Sequence, residues 1–221
     1  MPSPTRSSAL RFASGASPVV IGRPATWLLW GAVAAMAAIS GMTLVAAGIP
    51  YATSGGSFLT KIHPATWLAT AAVIVAMVET GGPDRWAARI ATGHPGLVAL
   101  AAAVVMVFLH TALVQKLPLS AIIDTFVLPI LMFAAIDAVD AAGRRSMANA
   151  LHLFVAVNAV LGLVEYASGW RLTPMYDIDG TIIVDWRSTA LLGHPLNNAF
   201  ITGTWLVILA TAGGARMGVP L

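Results

Sequence analysis

Pro95-Gly-Leu-Val-Ala-Leu-Ala-Ala-Ala-Val-Val-Met-Val-Phe-Leu-His110-Thr-Ala-Leu-Val-Gln115 carries no formally charged side chain. At about 1.5 Å of rise per residue, such a run exceeds the roughly 18 residues needed to cross a hydrocarbon layer as a helix. It is apolar on every face, so it is not one side of a soluble amphipathic helix. It also lacks the polar–apolar alternation of a transmembrane strand. Pro95 stands where a first helical turn tolerates proline, because the missing N–H would have no partner there anyway. A membrane-crossing helix is expected.

Five further apolar runs approach or exceed that length, the one at 64–79 being short at about 16 residues. With the first they give six expected spans, at about 24–47, 64–79, 95–115, 120–139, 148–168 and 190–212. The expected fold is all-α: a polytopic membrane helical bundle, with a flexible cytoplasmic tail over 1–23, a membrane domain over 24–221 and an outer loop over 169–189. The composition agrees, with 58% hydrophobic and only 10% charged residues against about 25% charged in soluble domains. The first apolar run is too long for a cleavable leader and has no cleavage site, so none is expected. There is no cysteine, which leaves neither disulfides nor thiolate metal sites.

The basic residues are scattered and form no nucleic-acid patch. They orient the chain instead. Arg6, Arg11, Arg23, Arg85, Arg89, Arg144, Arg145 and Arg216 fall on one side of the six-span scheme, and Lys61, Lys116, Arg171 and Arg187 on the other. The richer side is cytoplasmic by the positive-inside rule, which puts both termini inside. Trp27, Trp30, Trp67, Trp86, Trp170 and Trp186 fit interfacial belts. Pro24-Ala-Thr-Trp-Leu28 recurs as Pro64–Leu68, and Gly93-His-Pro95 as Gly193–Pro195. Both recurrences read as shared helix-start chemistry; the first opens spans of opposite direction.

Polar groups near membrane depth are costly and mark function or interhelical bonding. His110, Asp124 and Glu165 each lie a few residues from the outer end of a span, within roughly 10 Å of that interface. They could line an outer cavity, or pair with solvent and neighbouring cations. Asn158 and His152 read as interhelical hydrogen-bond partners. In the outer loop, Asp177-Ile-Asp-Gly-Thr181 mimics a phosphatase signature, but the loop cannot supply the α/β domain that signature needs. Asp179-Gly180 reads as the tight turn of a small hairpin on the membrane surface.

The densest polar block is Asp185–Phe200, with Arg187, Gly193, His194, Pro195, Asn197 and Asn198. Arg187 has the planar fork that holds two phosphate oxygens. Gly193 permits an unusual turn, Pro195 can start a helix, and Asn197 and Asn198 fall in its first turn, where an anion could be met. A plain helix start with a capping group would use the same residues.

The spacing Arg187-x5-Gly193-His194-Pro195-x-Asn197, preceded by Glu165-Tyr166 and a short polar loop, resembles the block of the O-antigen ligase and polymerase superfamily. The resemblance covers mainly 161–203. It implies an inner-membrane glycosyltransferase of the GT-C type, working without a metal or other cofactor at the periplasmic face. Such an enzyme moves a glycan from an undecaprenyl-diphosphate donor to a sugar hydroxyl in surface-polysaccharide biosynthesis. On that resemblance Arg187 binds the diphosphate, Arg171, His194, Asn197 and Asn198 shape its pocket, and Glu165 orients or deprotonates the acceptor. The implied partners are the bilayer, the polyprenyl-diphosphate-linked glycan and other polysaccharide-assembly membrane proteins. Members of that family have ten or more spans and a large late periplasmic loop, so the chain is expected to be the N-terminal half of such a protein. Members also place asparagine where this chain has Leu196. Two other readings fit the same residues: a small permease or transporter half, and a non-catalytic membrane component of a polysaccharide-export complex.

Overall fold

The computed structural model describes residues 22–49, 51, 57–116, 119–172, 175–176, 181–183 and 187–216. The expected tail up to residue 21, the turn at 177–180 and Trp186 lie outside them. Among the described residues the chain is all-helical, apart from one two-residue antiparallel pair.

Among the described residues, helix α1 (Arg23–Ala38) and helix α3 (Pro64–Glu79) share the most extensive contact between two helices. Their facing surfaces are built from small residues at helical spacing. Ala25, Leu29, Ala32 and Ala35 of α1 are buried against Ala65, Ala69, Ala72 and Ala76 of α3. Methyl groups at these positions let two backbones approach closely, so dispersion contacts replace long interdigitating side chains. Helix α7 (Leu128–Asp137) closes the trio with Leu128, Met132 and Ala135.

The expected first span is interrupted. Ile39 is extended and Ser40 starts a short helix α2 (Gly41–Ala46) by accepting from Thr43 N–H at 3.1 Å. A hydroxyl that caps a new helix competes with continuation of the old one, and no hydropathy reading detects that. The 64–79 and 95–115 spans coincide with α3 and with α5 (Pro95–His110) extended by a π turn (Thr111–Gln115).

Between them lies helix α4 (Pro83–Gly93), bent 103° from α3 across Gly81 and Gly82, both at positive φ. Polar contacts at its end brace that bend. Asp137 at the end of α7 meets Arg89 at 3.2 Å and His94 at 3.0 Å. Arg144 donates to the Val139 carbonyl at 2.5 Å, a cation placed where helix-end carbonyls need donors.

Helix α6 (Ser120–Ile122) passes through a π turn (Ile123–Val127) into α7. Helix α8 (Ala141–Ser168) begins earlier than the expected 148. Asp140 caps it by accepting from Gly143 N–H at 2.6 Å, so Arg144 and Arg145 are helical. Gly169, at φ +71°, ends it in the left-handed cap that favours glycine. Met175–Tyr176 pairs antiparallel with Ile182–Ile183, the expected hairpin flanking Asp179-Gly180. The expected sixth span begins as a 3-10 turn (Ala190–Leu192), and its continuous helix is α9 (Pro195–Arg216).

Two of these helices, Pro95–Gln115 and Ala141–Ser168, are long and apolar enough to cross a membrane, or three if the bent α3–α4 pair counts as one. Their apolar side chains face outward: Met106 is 72% exposed and Leu163 69%. At 16 residues, α1 and α3 each rise only about 24 Å, short of a roughly 30 Å core.

Three His-Pro pairs open α3, α5 and α9. In two of them the imidazole acts as the cap: His63 Nδ1 accepts from Ala65 N–H at 3.1 Å, and His194 Nδ1 from Leu196 N–H at 3.2 Å. His94 instead turns to Asp137 and to the edge of Phe133.

Candidate functional site

Glu165, three residues from the end of α8, is fully buried. Its Oε2 accepts from Ser188 Oγ, Thr189 N–H and Ala190 N–H, all at 2.9 Å, and its Oε1 from Leu172 N–H at 2.7 Å. Four donors on two oxygens is the coordination of an acceptor-only group, and it fixes the 188–190 backbone against α8. Ala190 holds a positive φ of 42° there, a conformation this anchoring compensates. Gly162 lets the loop approach, since a Cβ would lie 3.2 Å from Ser188 Oγ.

Two turns earlier on α8, Asn158 is 1% exposed and uses both ends of its amide. Its oxygen accepts from Leu191 N–H at 3.1 Å and its nitrogen donates to Asn198 Oδ1 at 2.7 Å. This is the interhelical role expected for it. His152 meets the edge of Trp205 of α9 at 4.6 Å between ring centroids. Glu165, Gly162 and Asn158 thus follow one face of α8, while His152 lies off that face, exposed, with its Nδ1 at the Ala148 carbonyl of its own helix.

A groove of about 500 Å³ opens between α8 and α9. Its lining includes the polar Arg187, Ser188, Asn198 and Thr202 and the apolar Ala159, Leu163, Leu196 and Ala199, together with Tyr166. Arg187 is exposed. A cation beside an apolar trough suits an amphiphile with an anionic head.

A second acidic node lies on the same end of the molecule. Asp124, in the π turn before α7, accepts from Thr66 Oγ1 at 2.6 Å, Tyr51 Oη at 2.7 Å and His63 N–H at 2.9 Å. Because His63 Nδ1 accepts, its proton sits on Nε2, which donates to the Ile39 carbonyl at 2.7 Å. Burial, reinforced by the adjacent carboxylate, pushes the Tyr51 phenol well above its ordinary value. The α1–α2 break joins the two nodes: Ile39 touches His63, and neighbouring Ser40 packs so closely on Gly193 (φ +69°) that a Cβ there would lie 2.7 Å from Ser40 Cβ.

The structure brings Arg187 and Asn198 together in the groove, with Glu165 beneath through Ser188. Arg171 turns Nη1 to the Glu165 carbonyl at 2.7 Å and so closes the end of α8. His194 opens α9, Asn197 is exposed outside the groove lining, and His110 is exposed in the last turn of α5. Asp124 is taken up by the α3 start. Among the described residues, no three His, Asp or Glu side chains gather as a metal site. Ser188, Thr202, Tyr51 and His63 were not singled out from sequence. Of these only His63 had a usable signal, the same His-Pro pair that marks the other two helix starts.

Compared with known proteins, the chain matches no family model, no curated protein and no solved structure.

Proposed function

We propose that this chain is a bacterial inner-membrane protein of surface-polysaccharide biosynthesis, holding an undecaprenyl-diphosphate-linked glycan in the α8/α9 groove at the periplasmic face. The observation that carries this reading is a groove whose lining combines the Arg187 cation with apolar side chains. The resemblance of the Arg187–Asn198 block to O-antigen ligases and polymerases supports the same reading. So does the arginine bias, which favours six spans with both termini cytoplasmic.

In the reaction this implies, an acceptor hydroxyl attacks the anomeric carbon while the bond to the diphosphate oxygen breaks. Negative charge grows on the departing diphosphate, where the Arg187 guanidinium stabilises it. The acceptor proton leaves to solvent or to the departing group. Glu165 then acts by shaping the loop that carries Arg187, since its oxygens already accept four hydrogen bonds. A permease half would need acids open to a path. Glu165 and Asp124 both bind backbone N–H groups, which favours the groove reading.

Replacing Arg187 by alanine in the host should lower surface-polysaccharide output by on the order of 10²-fold, with Arg187→Lys between. Normal polymer amount and length from a well-expressed Arg187→Ala protein would overturn the reading.

A further inference from the structure

Among the described residues the ion pairs gather on Asp137, and Arg23 and Asp140 both stand outside them. Arg23 opens α1, where a cation adds to the positive end of the helix instead of offsetting it. The nearby Glu79 gives its Oε2 to the Gly22 N–H at 2.6 Å and makes no ion pair with Arg23. Asp140 accepts from the Gly143 N–H at 2.6 Å through Oδ1, and among the described residues no cation meets its carboxylate.

These two charges line one cavity of about 600 Å³ between the starts of α1 and α8, without pairing across it. Arg144 and Arg145 are close in sequence but turn to the Val139 and Ala141 carbonyls, and neither lines the cavity. The charged lining is therefore one cation and one anion. Trp27, Trp30 and the Ser146 hydroxyl share it, and Trp27 is 70% exposed. Helix α8 is long and apolar enough to cross a membrane, and the cavity sits at its first turn. That is the depth at which indole rings meet lipid headgroups.

We propose that this cavity holds the headgroup of a zwitterionic phospholipid bearing a primary ammonium, as in phosphatidylethanolamine. Arg23 takes the phosphate oxygens with its planar fork, and Asp140 takes the ammonium. Ser146 adds a donor to the phosphate, and Trp27 and Trp30 cover the glycerol and the upper acyl chain. An anionic headgroup would leave Asp140 without a cation. A quaternary amine would offer it methyl groups in place of N–H donors. The α8/α9 groove lies at the other end of α8, so this inference does not depend on how that groove is read.

The test is native mass spectrometry of the full chain in detergent micelles, titrated with phosphatidylethanolamine, phosphatidylglycerol and phosphatidylcholine of matched acyl chains. The wild type should bind the ethanolamine lipid about fivefold more tightly than either of the others. Asp140→Asn keeps an oxygen for the Gly143 N–H, and with it the start of α8, but removes the charge. The ethanolamine lipid should then fall to the level of the choline lipid, and phosphatidylglycerol should rise above both. Arg23→Gln should lower ethanolamine-lipid binding about tenfold, and it carries the test should Asp140→Asn fail to accumulate. A wild type that binds the three lipids alike, or prefers phosphatidylglycerol, overturns the inference. So does an ethanolamine preference that survives either substitution.

Discussion

Between α1 and α3 the contact surface is alanine turn after turn, whereas the face of α8 turned to α9 and the loop before it carries glutamate, glycine and asparagine. The first seam gains its stability from close approach and many weak dispersion contacts, which are indifferent to direction. The second gains it from hydrogen bonds that are directional and leave little tolerance for substitution. The groove opens beside the second, where Ser188 and Asn198 belong to its lining. The two regions also share a device. In each, one buried or half-buried acid in a helix satisfies the N–H groups where a neighbouring segment begins: Asp124 for α3 and Glu165 for the 189–190 turn.

The sharpest way to break the comparison is Glu165→Leu. It removes the carboxylate that accepts from Leu172, Thr189 and Ala190 N–H, and each hydrogen bond to a charged group is worth about 1.5–3 kcal/mol. The thermal midpoint in detergent should collapse, and Glu165→Gln should fall between. A midpoint unchanged in Glu165→Leu would show the polar seam to be dispensable.

Ala69→Leu attacks the other seam. Ala69 is fully buried, and the added volume must push α1 and α3 apart, at about 1–3 kcal/mol. Its effect should be confined to stability, with lipid-diphosphate binding at the groove preserved. Loss of that binding would mean the two regions do not behave independently.

The smallest effect concerns Tyr51. A phenol held protonated by burial and by Asp124 contributes stability that is complete below the ordinary tyrosine value near 10 and disappears as pH rises through its elevated value. Tyr51→Phe should therefore cost about 1 kcal/mol at neutral pH and remove this alkaline dependence, read from unfolding midpoints across pH. Phenolate absorbance should show one of the three tyrosines ionising after the others.

Much of this architecture can be read directly from the sequence, and the failures have physical causes. Proline at the first turn marks α3 and α5 to the residue, because only there is its missing N–H harmless. Helix α4 escapes a hydropathy reading because Asp84, Arg85 and Arg89 make it polar, although Gly82-Pro83-Asp84 is a helix-start pattern. The early start of α8 is masked by Arg144 and Arg145 in the same way, and its signal is the capping Asp140. The break at Ser40 is invisible in composition, since one hydroxyl decides it within an apolar run. In the site, Arg187 and Asn198 stand out as polar groups beside a hydrocarbon-length run. Ser188 does not, because its importance comes from Glu165, which approaches it from 23 residues away.

The central claim is that the α8/α9 groove receives a lipid-linked diphosphate through Arg187. Photo-crosslinking the full chain in bilayers with a diazirine-bearing polyprenyl diphosphate, followed by peptide mapping, tests it most directly. The account predicts adducts on residues 159–166 and 195–202, competed by unlabelled farnesyl diphosphate and lost in Arg187→Ala. Adducts spread alike over the exposed faces of α5 and of α9 beyond residue 202, or persisting undiminished in Arg187→Ala, would contradict it.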